Sequence, residues 1–497
     1  MRKLKLKRRR GLGNTAENYA YLYYGMFALC TIVYIAIGMI SHGDSIAYSL
    51  FYRSSGNPDT MNVTELKYTT DTFMDFFNSV RDAADNGGYD NGVIYPPLAS
   101  LLFLGYSKLF NTSLVGSEFG NRFNLRNLDP IALLVFFVSM MLCVFAVYLV
   151  IDRYLLRCGF KAAPAALAIT SALSFPMWYA IQRGNVVIFA IPLTMFFVFF
   201  RNHERKLVRE LSYIALALAA GLKIYPAVFG ILLITDKKYK EAARLIIYGI
   251  LAFVLPIFVF GGPDQLVQLV KNIFSFHSGL SKKEAPFRSG YSYQELVAVF
   301  IHNKSIAVFG KIVFWCMEAM ALIMVFLLPK DWQKLTALCY MVFNIRSLSS
   351  IYALTFFLIP FVLFLTDKRR FKWNDYLYLL CLALMFIPLP CIWYGFTDSM
   401  VGTRFSGGEQ IADRFGMIAH YAGVNKLVSV VAFQGIFLLL ILDVLLTPSG
   451  DKKQGKGKKK AVFAVAEEAV VQESADETIE STASDSENLS DLTESSI

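Results

Sequence analysis

Residues 131–151 read IALLVFFVSMMLCVFAVYLVI, an uncharged apolar run long enough to cross a lipid bilayer as a helix. About 20 such residues span the hydrocarbon core of a bilayer, and comparable runs recur along the chain. Of the 497 residues, 56% are hydrophobic and 17% are charged, whereas a soluble protein carries about 25% charged residues. The sequence therefore predicts an all-α polytopic membrane protein.

The net charge of +10 is concentrated in the N-terminal run MRKLKLKRRR and in short turns between the apolar runs. Basic turns stay on the cytoplasmic side of membrane proteins, so this charge indicates topology, and we expect no nucleic-acid partner. We predict a cytoplasmic N-terminus (residues 1–18), a membrane domain (residues 19–446) and a cytoplasmic tail (residues 447–497). The tail is first basic and then acidic, and its composition predicts disorder. Full spans are predicted over residues 19–40, 131–151, 162–181, 186–200, 242–260, 307–328, 375–394 and 423–446.

Two further apolar segments, residues 211–235 and 335–366, have basic residues on both flanks. A single span would place one basic flank outside the cell, so each segment is predicted to be a hairpin. The breaks are GLKIYP at residues 221–226 and NIRSLSS at residues 344–350. Broken helices are tolerated inside a membrane where they are buried in protein or line a wet cavity. Eight full spans and two broken hairpins make about twelve helical elements, with both termini inside.

The first segment predicted to lie outside, residues 41–130, contains the densest polar cluster of the chain. Residues 69–88 read TTDTFMDFFNSVRDAADNGG, and this spacing predicts an amphipathic helix over residues 71–86 on the outer membrane surface. Its apolar face comprises Phe73, Phe76, Phe77 and Val80, and its polar face comprises Asp71, Asp75, Asn78 and Asp82. The alternative is a solvated polar face without a chemical role. The apolar run at residues 93–110 is predicted to dip into the membrane without crossing it.

Three cations lie where the membrane helices are predicted to break. Arg183 belongs to the turn QRGN at residues 182–185, Lys223 to the first hairpin break and Arg346 to the second. A charge at membrane depth is costly and has a partner, yet these breaks contain no carboxylate. A phosphate from outside the chain fits, because Arg offers a planar donor fork and Lys a point charge. The alternative is that these side chains reach the lipid headgroups or pair with backbone carbonyls.

Together, the aspartates outside and the cations at membrane depth suggest a lipid-phosphate substrate whose headgroup reaches the outer surface. A carboxylate can take the proton of an acceptor hydroxyl, and the cations can stabilise the negative charge of a phosphate leaving group. This combination predicts glycosyl transfer from a polyprenyl-phosphate sugar. No cluster of metal ligands stands out and the seven cysteines form no C-x-x-C pair, so no cofactor is predicted.

Four short motifs resemble the integral-membrane GT-C glycosyltransferases, in particular the family of polyprenol-phosphate-mannose-dependent mannosyltransferases. They are Asp75-Phe76-Phe77, Tyr95-Pro96-Pro97-Leu98, Arg183-Gly184-Asn185 and Lys223-Ile224-Tyr225-Pro226. The resemblance implies a GT-C-like helical bundle, transfer with inversion, mannose as the sugar, and an active site on the extracytoplasmic side of the plasma membrane. It implies that Asp75 is the general base, with Asp71 as the second choice, and that the acceptor is a lipid or a glycan. The predicted substrate-binding residues are Lys223, Arg346, Arg183, Asn185, Tyr95 and Tyr225.

The main alternative is a membrane transporter or a flippase for lipid-linked glycans. Broken helices with polar breaks also form the midplane sites of secondary transporters. Against this alternative, the carboxylates concentrate in an outer segment and not at membrane depth, where ion coupling would need them. A non-catalytic subunit of an envelope-polymer assembly is a third possibility, and it predicts that Asp75 is dispensable for product formation.

Overall fold

A computed structural model describes residues 16–40, 72–84, 89–90, 92–111, 128–282, 293, 304–345, 350–367, 372–389 and 411–446. The regular secondary structure of these residues is entirely helical, and six segments are long and apolar enough to cross a membrane. The chain is therefore an all-α polytopic membrane protein, as predicted. The helical bundle lies in the first of two compact units, Met1–Ile441, and residues 442–446 are the described part of the second. Residues 1–15 and 447–497 of the predicted cytoplasmic segments lie outside the described residues.

The candidate spans coincide with six of the predicted ones. They are Asn18–Ile40, Pro130–Arg157, Pro164–Arg183, Tyr239–Phe260, Phe309–Leu327 and Val428–Leu446. The α-helices themselves are Ala16–Ile40, Met74–Ala84, Pro97–Ser107, Pro130–Arg157, Pro164–Ala172, Phe175–Arg183, Val187–Phe200, Lys206–Leu222, Ile231–Thr235, Tyr239–Val254, Pro263–Lys282, Lys304–Leu327, Asp331–Phe343, Leu358–Thr366, Trp373–Phe386 and Ile411–Leu446. Short 3₁₀ helices occupy Tyr225–Gly230, Leu255–Phe260 and Ile351–Phe357.

Two predicted spans are too short as helices to cross the bilayer core; the first agrees with its predicted bounds (residues 186–200), and the second ends earlier than its predicted bounds (residues 375–394). Val187–Phe200 and Trp373–Phe386 have 14 residues each, which is about 21 Å of helix and less than the bilayer core. Val187–Phe200 is buried on nearly all sides by other helices, so its length need not match the lipid. Trp373–Phe386 ends two residues before Pro388, whose ring disfavours helical backbone at the preceding Ile387.

The first predicted hairpin is present and reverses at Lys223. Lys206–Leu222 ends there, because Lys223 has extended backbone angles (φ −149°, ψ 125°). The returning arm then runs back along the first, and a Cβ placed on Gly230 would lie 3.9 Å from Leu216. The return ends at Asp236, whose Oδ2 lies 3.3 Å from Nε of Arg201, close to where the hairpin began.

The second predicted hairpin also reverses, and its two ends meet. The ring of Trp332, at the start of Asp331–Phe343, lies 5.0 Å from the ring of Phe364 at the end of the returning arm. Just outside these rings, Lys330 Nζ lies 3.1 Å from Asp367 Oδ2. The basic flanks of this hairpin therefore lie at one end, as the charge argument predicts.

Arg201 joins the two hairpins at this end of the bundle. Its side chain is only 4% exposed, and it pairs with Asp236 of the first hairpin and with Asp331 of the second, 2.6 Å from Nη2. The ring of Tyr154, near the end of Pro130–Arg157, stacks 4.3 Å from the ring of Phe199, so the basic turn after that helix lies here too. We refer to this end of the helices as the Arg201 end.

Candidate active site

The acidic helix, Met74–Ala84, is packed into the protein at the end opposite Arg201. Phe76 and Phe77 are fully buried, and the ring of Phe76 lies 5.1 Å from that of Phe136 and 5.0 Å from that of Tyr106. Phe76, Phe77 and Val80 of the predicted apolar face are buried, but the helix is shorter than the predicted residues 71–86 and Met74 takes the place of Phe73 on its buried face. The rings of this face pack against other helices of the protein. The predicted position on the membrane surface would have buried them in lipid. Phe73 precedes the helix, and its backbone amide donates to the carbonyl of Gln182 at 2.6 Å.

The carboxylate of Asp75 is held from two directions. Its Oδ1 accepts from Arg183 Nη2 at 2.6 Å, and its Oδ2 accepts from Asn185 Nδ2 at 2.7 Å. The amide of Asn185 is itself oriented, because its Oδ1 accepts from the backbone N–H of Val187 at 3.1 Å. Asp75 and Arg183 keep 16% and 22% of their side chains exposed, so the carboxylate is fixed and still reachable.

This ion pair corrects one expectation from the sequence. Arg183 was expected to lack a carboxylate partner, and that expectation is wrong, because Asp75 supplies one from 108 positions earlier in the chain. Only the folded protein brings the acidic helix against the turn at residues 182–185. Arg183 and Asn185 are therefore placed first of all to orient Asp75.

Gly184 allows the acidic helix to lie close to the turn at residues 182–185. It ends the helix Phe175–Arg183 with a left-handed backbone (φ 66°), a conformation that glycine adopts without steric cost. A Cβ at this position would lie 2.8 Å from Cβ of Phe76 and 3.0 Å from the carbonyl oxygen of Phe73. The glycine thus lets Arg183 and Asn185, its two neighbours, reach the same carboxylate.

Lys223 lies close to this carboxylate and is surrounded by tyrosine rings. Its Nζ is 4.9 Å from the ring centre of Tyr95, 5.9 Å from that of Tyr225 and 6.0 Å from that of Tyr352. Asp75 attracts it electrostatically, but within the described residues no carboxylate oxygen comes within 4.0 Å of Nζ. The ammonium therefore has the faces of aromatic rings around it, which attract cations, and no direct anionic partner there.

Tyr95 connects the acidic helix to Lys223. It lines a small cavity together with Ser79 of the acidic helix, while its ring faces Lys223. Pro97 then opens the helix Pro97–Ser107 at a position where its missing N–H costs nothing. This helix has 11 residues, about 16 Å, so it is too short to cross the bilayer.

Tyr225 and Tyr352 complete the aromatic surround from two hairpins. The Tyr225 hydroxyl is buried and has no hydrogen-bond partner among the residues that the structure describes. Tyr352 comes from the returning arm of the second hairpin, and its ring lies parallel to that of Tyr179 at 6.5 Å. Neither Tyr352 nor Tyr179 can be identified as a site residue from the sequence, because a tyrosine within a largely apolar run carries no local signal.

Two predicted site residues, Asp71 and Arg346, lie outside the described residues. The other six, Asp75, Lys223, Arg183, Asn185, Tyr95 and Tyr225, lie in this one cluster. Within the described part of the chain, no group of three or more His, Cys, Asp or Glu side chains could hold a metal ion.

Comparison with known families identifies the kind of protein to which this cluster belongs. The family model described as Glycosyltransferase family 87 matches residues 94–350, which is more than half of the chain. The chain belongs to glycosyltransferase family 87. This is a GT-C-type family of integral-membrane glycosyltransferases, as the sequence motifs suggest. A search of curated proteins finds no match to the chain.

Membership of glycosyltransferase family 87 implies that the protein uses a sugar donor and an acceptor and that the protein itself contacts membrane lipids. The protein is thus a glycosyltransferase, and the transporter alternative has no comparable support. The matched region includes Tyr95, Arg183, Asn185, Lys223 and Tyr225, whereas Asp75 lies before it. The contacts of Asp75 with Arg183 and Asn185 attach it to the matched region.

Proposed function

We propose that this glycosyltransferase moves a hexose from a polyprenyl-phosphate sugar to a hydroxyl group of a lipid or glycan acceptor, with inversion at the sugar carbon. Mannose is the sugar that the sequence resemblance favours. One observation carries the proposal: a carboxylate held in place by Arg183 and Asn185 lies within electrostatic range of an ammonium, on Lys223, that has no direct anionic partner in the described residues. A base and a phosphate site are the two groups that this transfer needs.

Asp75 acts as the general base. Each carboxylate oxygen has two acceptor directions, and Arg183 and Asn185 each use one, so the acceptor hydroxyl can donate to a free one. As the acceptor oxygen forms its bond to the anomeric carbon, the bond from that carbon to the phosphate oxygen breaks. The acceptor proton passes to Asp75, and polyprenyl phosphate leaves from the opposite face of the sugar, which gives inversion.

Lys223 stabilises the phosphate leaving group. Negative charge grows on the phosphate oxygen as the glycosidic bond breaks, and a preorganised cation lowers the energy of that transition state. The buried Tyr225 hydroxyl, without a partner in the described residues, is available to donate to another phosphate oxygen. On sequence grounds we add Arg346, two positions after Asn344 at the second hairpin break, as a further donor to the phosphate.

The distribution of charge supports an active site on the extracytoplasmic side. The helix Val187–Phe200, which is about 21 Å long, separates the Asp75 site at its start from Arg201 beyond its end. The basic turns at residues 201–210, 236–244 and 329–334 adjoin the Arg201 end, and so does Asp367, which pairs with Lys330. Because basic turns stay in the cytoplasm, Asp75 faces the other side.

The test is sugar transfer by the purified protein in lipid vesicles, with defined polyprenyl-phosphate sugars and nucleotide sugars as competing donors. Asp75→Asn keeps the shape of the side chain and its bond to Arg183, yet an amide cannot accept the proton. We expect transfer to fall by about 10²-fold to 10⁴-fold while membrane insertion is retained.

Asp82→Asn is the matched control, since Asp82 lies on the same helix and pairs only with its neighbour Arg81 in the described structure. Full activity of Asp75→Asn would show that Asp75 is not the general base. Transfer from nucleotide sugars alone would show that the donor is not a polyprenyl-phosphate sugar.

A further inference from the structure

A second acidic side chain lies inside the membrane bundle, in a different place from Asp75. Glu318 belongs to the candidate span Phe309–Leu327 and is only 8% exposed. Its Oε1 accepts from Nδ2 of Asn344 at 2.8 Å, and both groups are buried. Ionisable side chains within membrane spans are costly and generally serve a function, and the proposed reaction does not use this one directly.

Asn344 connects Glu318 to the break of the second hairpin. It follows the last residue of Asp331–Phe343 and is completely buried. Its Oδ1 accepts from the backbone N–H of Tyr293 at 2.8 Å, and its Nδ2 donates to Glu318. The side chain of Asn344 therefore joins three parts of the chain at the point where the helix stops.

The residues beside this break pack against the tyrosines that surround Lys223. The ring of Phe343, next to Asn344, lies 5.4 Å from the ring of Tyr225, and the ring of Phe356 on the returning arm lies 5.3 Å from it. Tyr225 in turn lies beside Lys223, and Tyr352 reaches Lys223 from the same returning arm. Glu318 is thus connected to the ammonium by its hydrogen bond with Asn344, by the peptide bond between Asn344 and Phe343, and by the ring contacts of Tyr225 with Phe343 and Lys223.

We infer that Glu318 is a positioning residue for the lipid-phosphate donor: through Asn344 it fixes the hairpin break that holds Tyr225 and Tyr352 around Lys223. The identity of the donor rests on the proposed function. Removing the acceptor at residue 318 leaves a buried amide on Asn344 without its partner, so the break shifts to find another. Asp75, Arg183 and Asn185 lie on other elements and keep their contacts.

The experiment compares Glu318→Ala, Glu318→Gln and Thr336→Val with the wild-type protein in vesicles. We expect Glu318→Ala to raise the KM for the donor and the Kd for polyprenyl phosphate by about five- to tenfold, the effect of one lost hydrogen bond of this kind. The KM for the acceptor and the kcat should stay within about twofold. Glu318→Gln keeps a carbonyl oxygen for Asn344 and should restore donor affinity. Thr336→Val is the control. It removes another buried hydrogen bond, from Thr336 to the carbonyl of Trp332, in the helix Asp331–Phe343 that precedes Asn344 but away from the break.

The inference is overturned if Glu318→Ala binds polyprenyl phosphate like the wild type, or if it impairs donor and acceptor equally. It is also overturned if Glu318→Gln loses as much donor affinity as Glu318→Ala, or if Thr336→Val loses as much as either. Failure of the proposed function has a different signature, since the wild-type protein itself would then bind no polyprenyl phosphate. Binding by the wild type together with unchanged binding by Glu318→Ala would defeat this inference alone.

Discussion

Asp75 depends on two side chains that differ in what they contribute. Asn185 supplies a hydrogen bond from an amide whose orientation is fixed by Val187, whereas Arg183 adds a charge at 2.6 Å. If their main task is to orient the base, removing either should slow the chemical step more than it weakens donor binding. If Arg183 instead binds the donor phosphate, as its place in the sequence first suggests, donor binding should suffer most.

We therefore predict that Arg183→Gln lowers kcat by about 10²-fold, the loss that follows when a reacting group is misplaced by about an ångström. The KM for the donor should change little. Steady-state kinetics with varied donor and acceptor separate the two effects. Arg81→Gln is the control, because Arg81 lies on the same helix as Asp75 and pairs with Asp82. A donor KM that rises more than kcat falls would assign Arg183 to the phosphate.

Lys223 should show a different pattern, in which weaker donor binding accompanies a lower kcat, because its charge contacts the donor phosphate both before transfer and in the transition state. Lys223→Gln removes the charge and keeps a polar side chain, so the donor phosphate loses a charge-assisted contact worth about 1.5–3 kcal/mol. We expect the donor KM to rise by about 10-fold to 100-fold and the acceptor KM to stay close to that of the wild type. Lys238→Gln provides the comparison, since Lys238 lies at the Arg201 end and contacts Asn202. Equal loss of donor and acceptor affinity in Lys223→Gln would argue against a phosphate site.

At the scale of elements, the contact between the acidic helix and the turn at residues 182–185 depends on one glycine. Gly184 and Gly159 both have φ 66°, but a Cβ on Gly159 meets nothing within 4 Å. At either position, an alanine held in the left-handed backbone conformation would destabilise the fold by about 1–2 kcal/mol relative to glycine. Only at Gly184 would it also collide with Phe76 and with the backbone at Phe73.

We predict that Gly184→Ala lowers the unfolding free energy by about 1–3 kcal/mol more than Gly159→Ala does, because overpacking adds to the backbone cost. It should also reduce sugar transfer, since the acidic helix must move away from Arg183 and Asn185. Thermal unfolding in detergent and the transfer assay measure the two effects. Similar melting temperatures and full activity in both variants would mean that the close approach at Gly184 is unimportant.

The sequence predicts those elements whose signals are local. Basic residues on both flanks of residues 211–235 and 335–366 correctly predict two hairpins, because the charge rule needs only neighbouring residues. The bounds of Val187–Phe200 agree with the predicted residues 186–200, whereas Trp373–Phe386 ends before its predicted end, because Pro388 disfavours helical backbone at Ile387. The pairing of Asp75 with Arg183 and the arrival of Tyr352 beside Lys223 depend on packing between distant segments, for which a single sequence carries no signal.

Across the helical bundle, the two hairpins are joined by ion pairs at one end and bring their breaks together at the other. Arg201 is nearly fully buried and holds Asp236 and Asp331 together, so the ends of the hairpins are tied at the Arg201 end. At their breaks, Lys223, Tyr225 and Tyr352 meet beside Asp75. Hairpins that are tied at the Arg201 end and have their polar breaks at the opposite end suit a site that receives a lipid headgroup from one face of the membrane.

The orientation of this arrangement decides whether Asp75 can meet a donor and an acceptor on the extracytoplasmic side. We predict that a membrane-impermeant maleimide labels Asp90→Cys in intact cells, in a background without native cysteines, because Asp90 is exposed and close in sequence to the site. Lys238→Cys, at the Arg201 end, should react only after the membrane is permeabilised, since the basic turns around it stay in the cytoplasm. The cysteine-free protein measures non-specific labelling, and sugar transfer by each variant shows that it is folded. The reverse labelling pattern would place Asp75 on the cytoplasmic side, where the proposed reaction at the outer face could not occur.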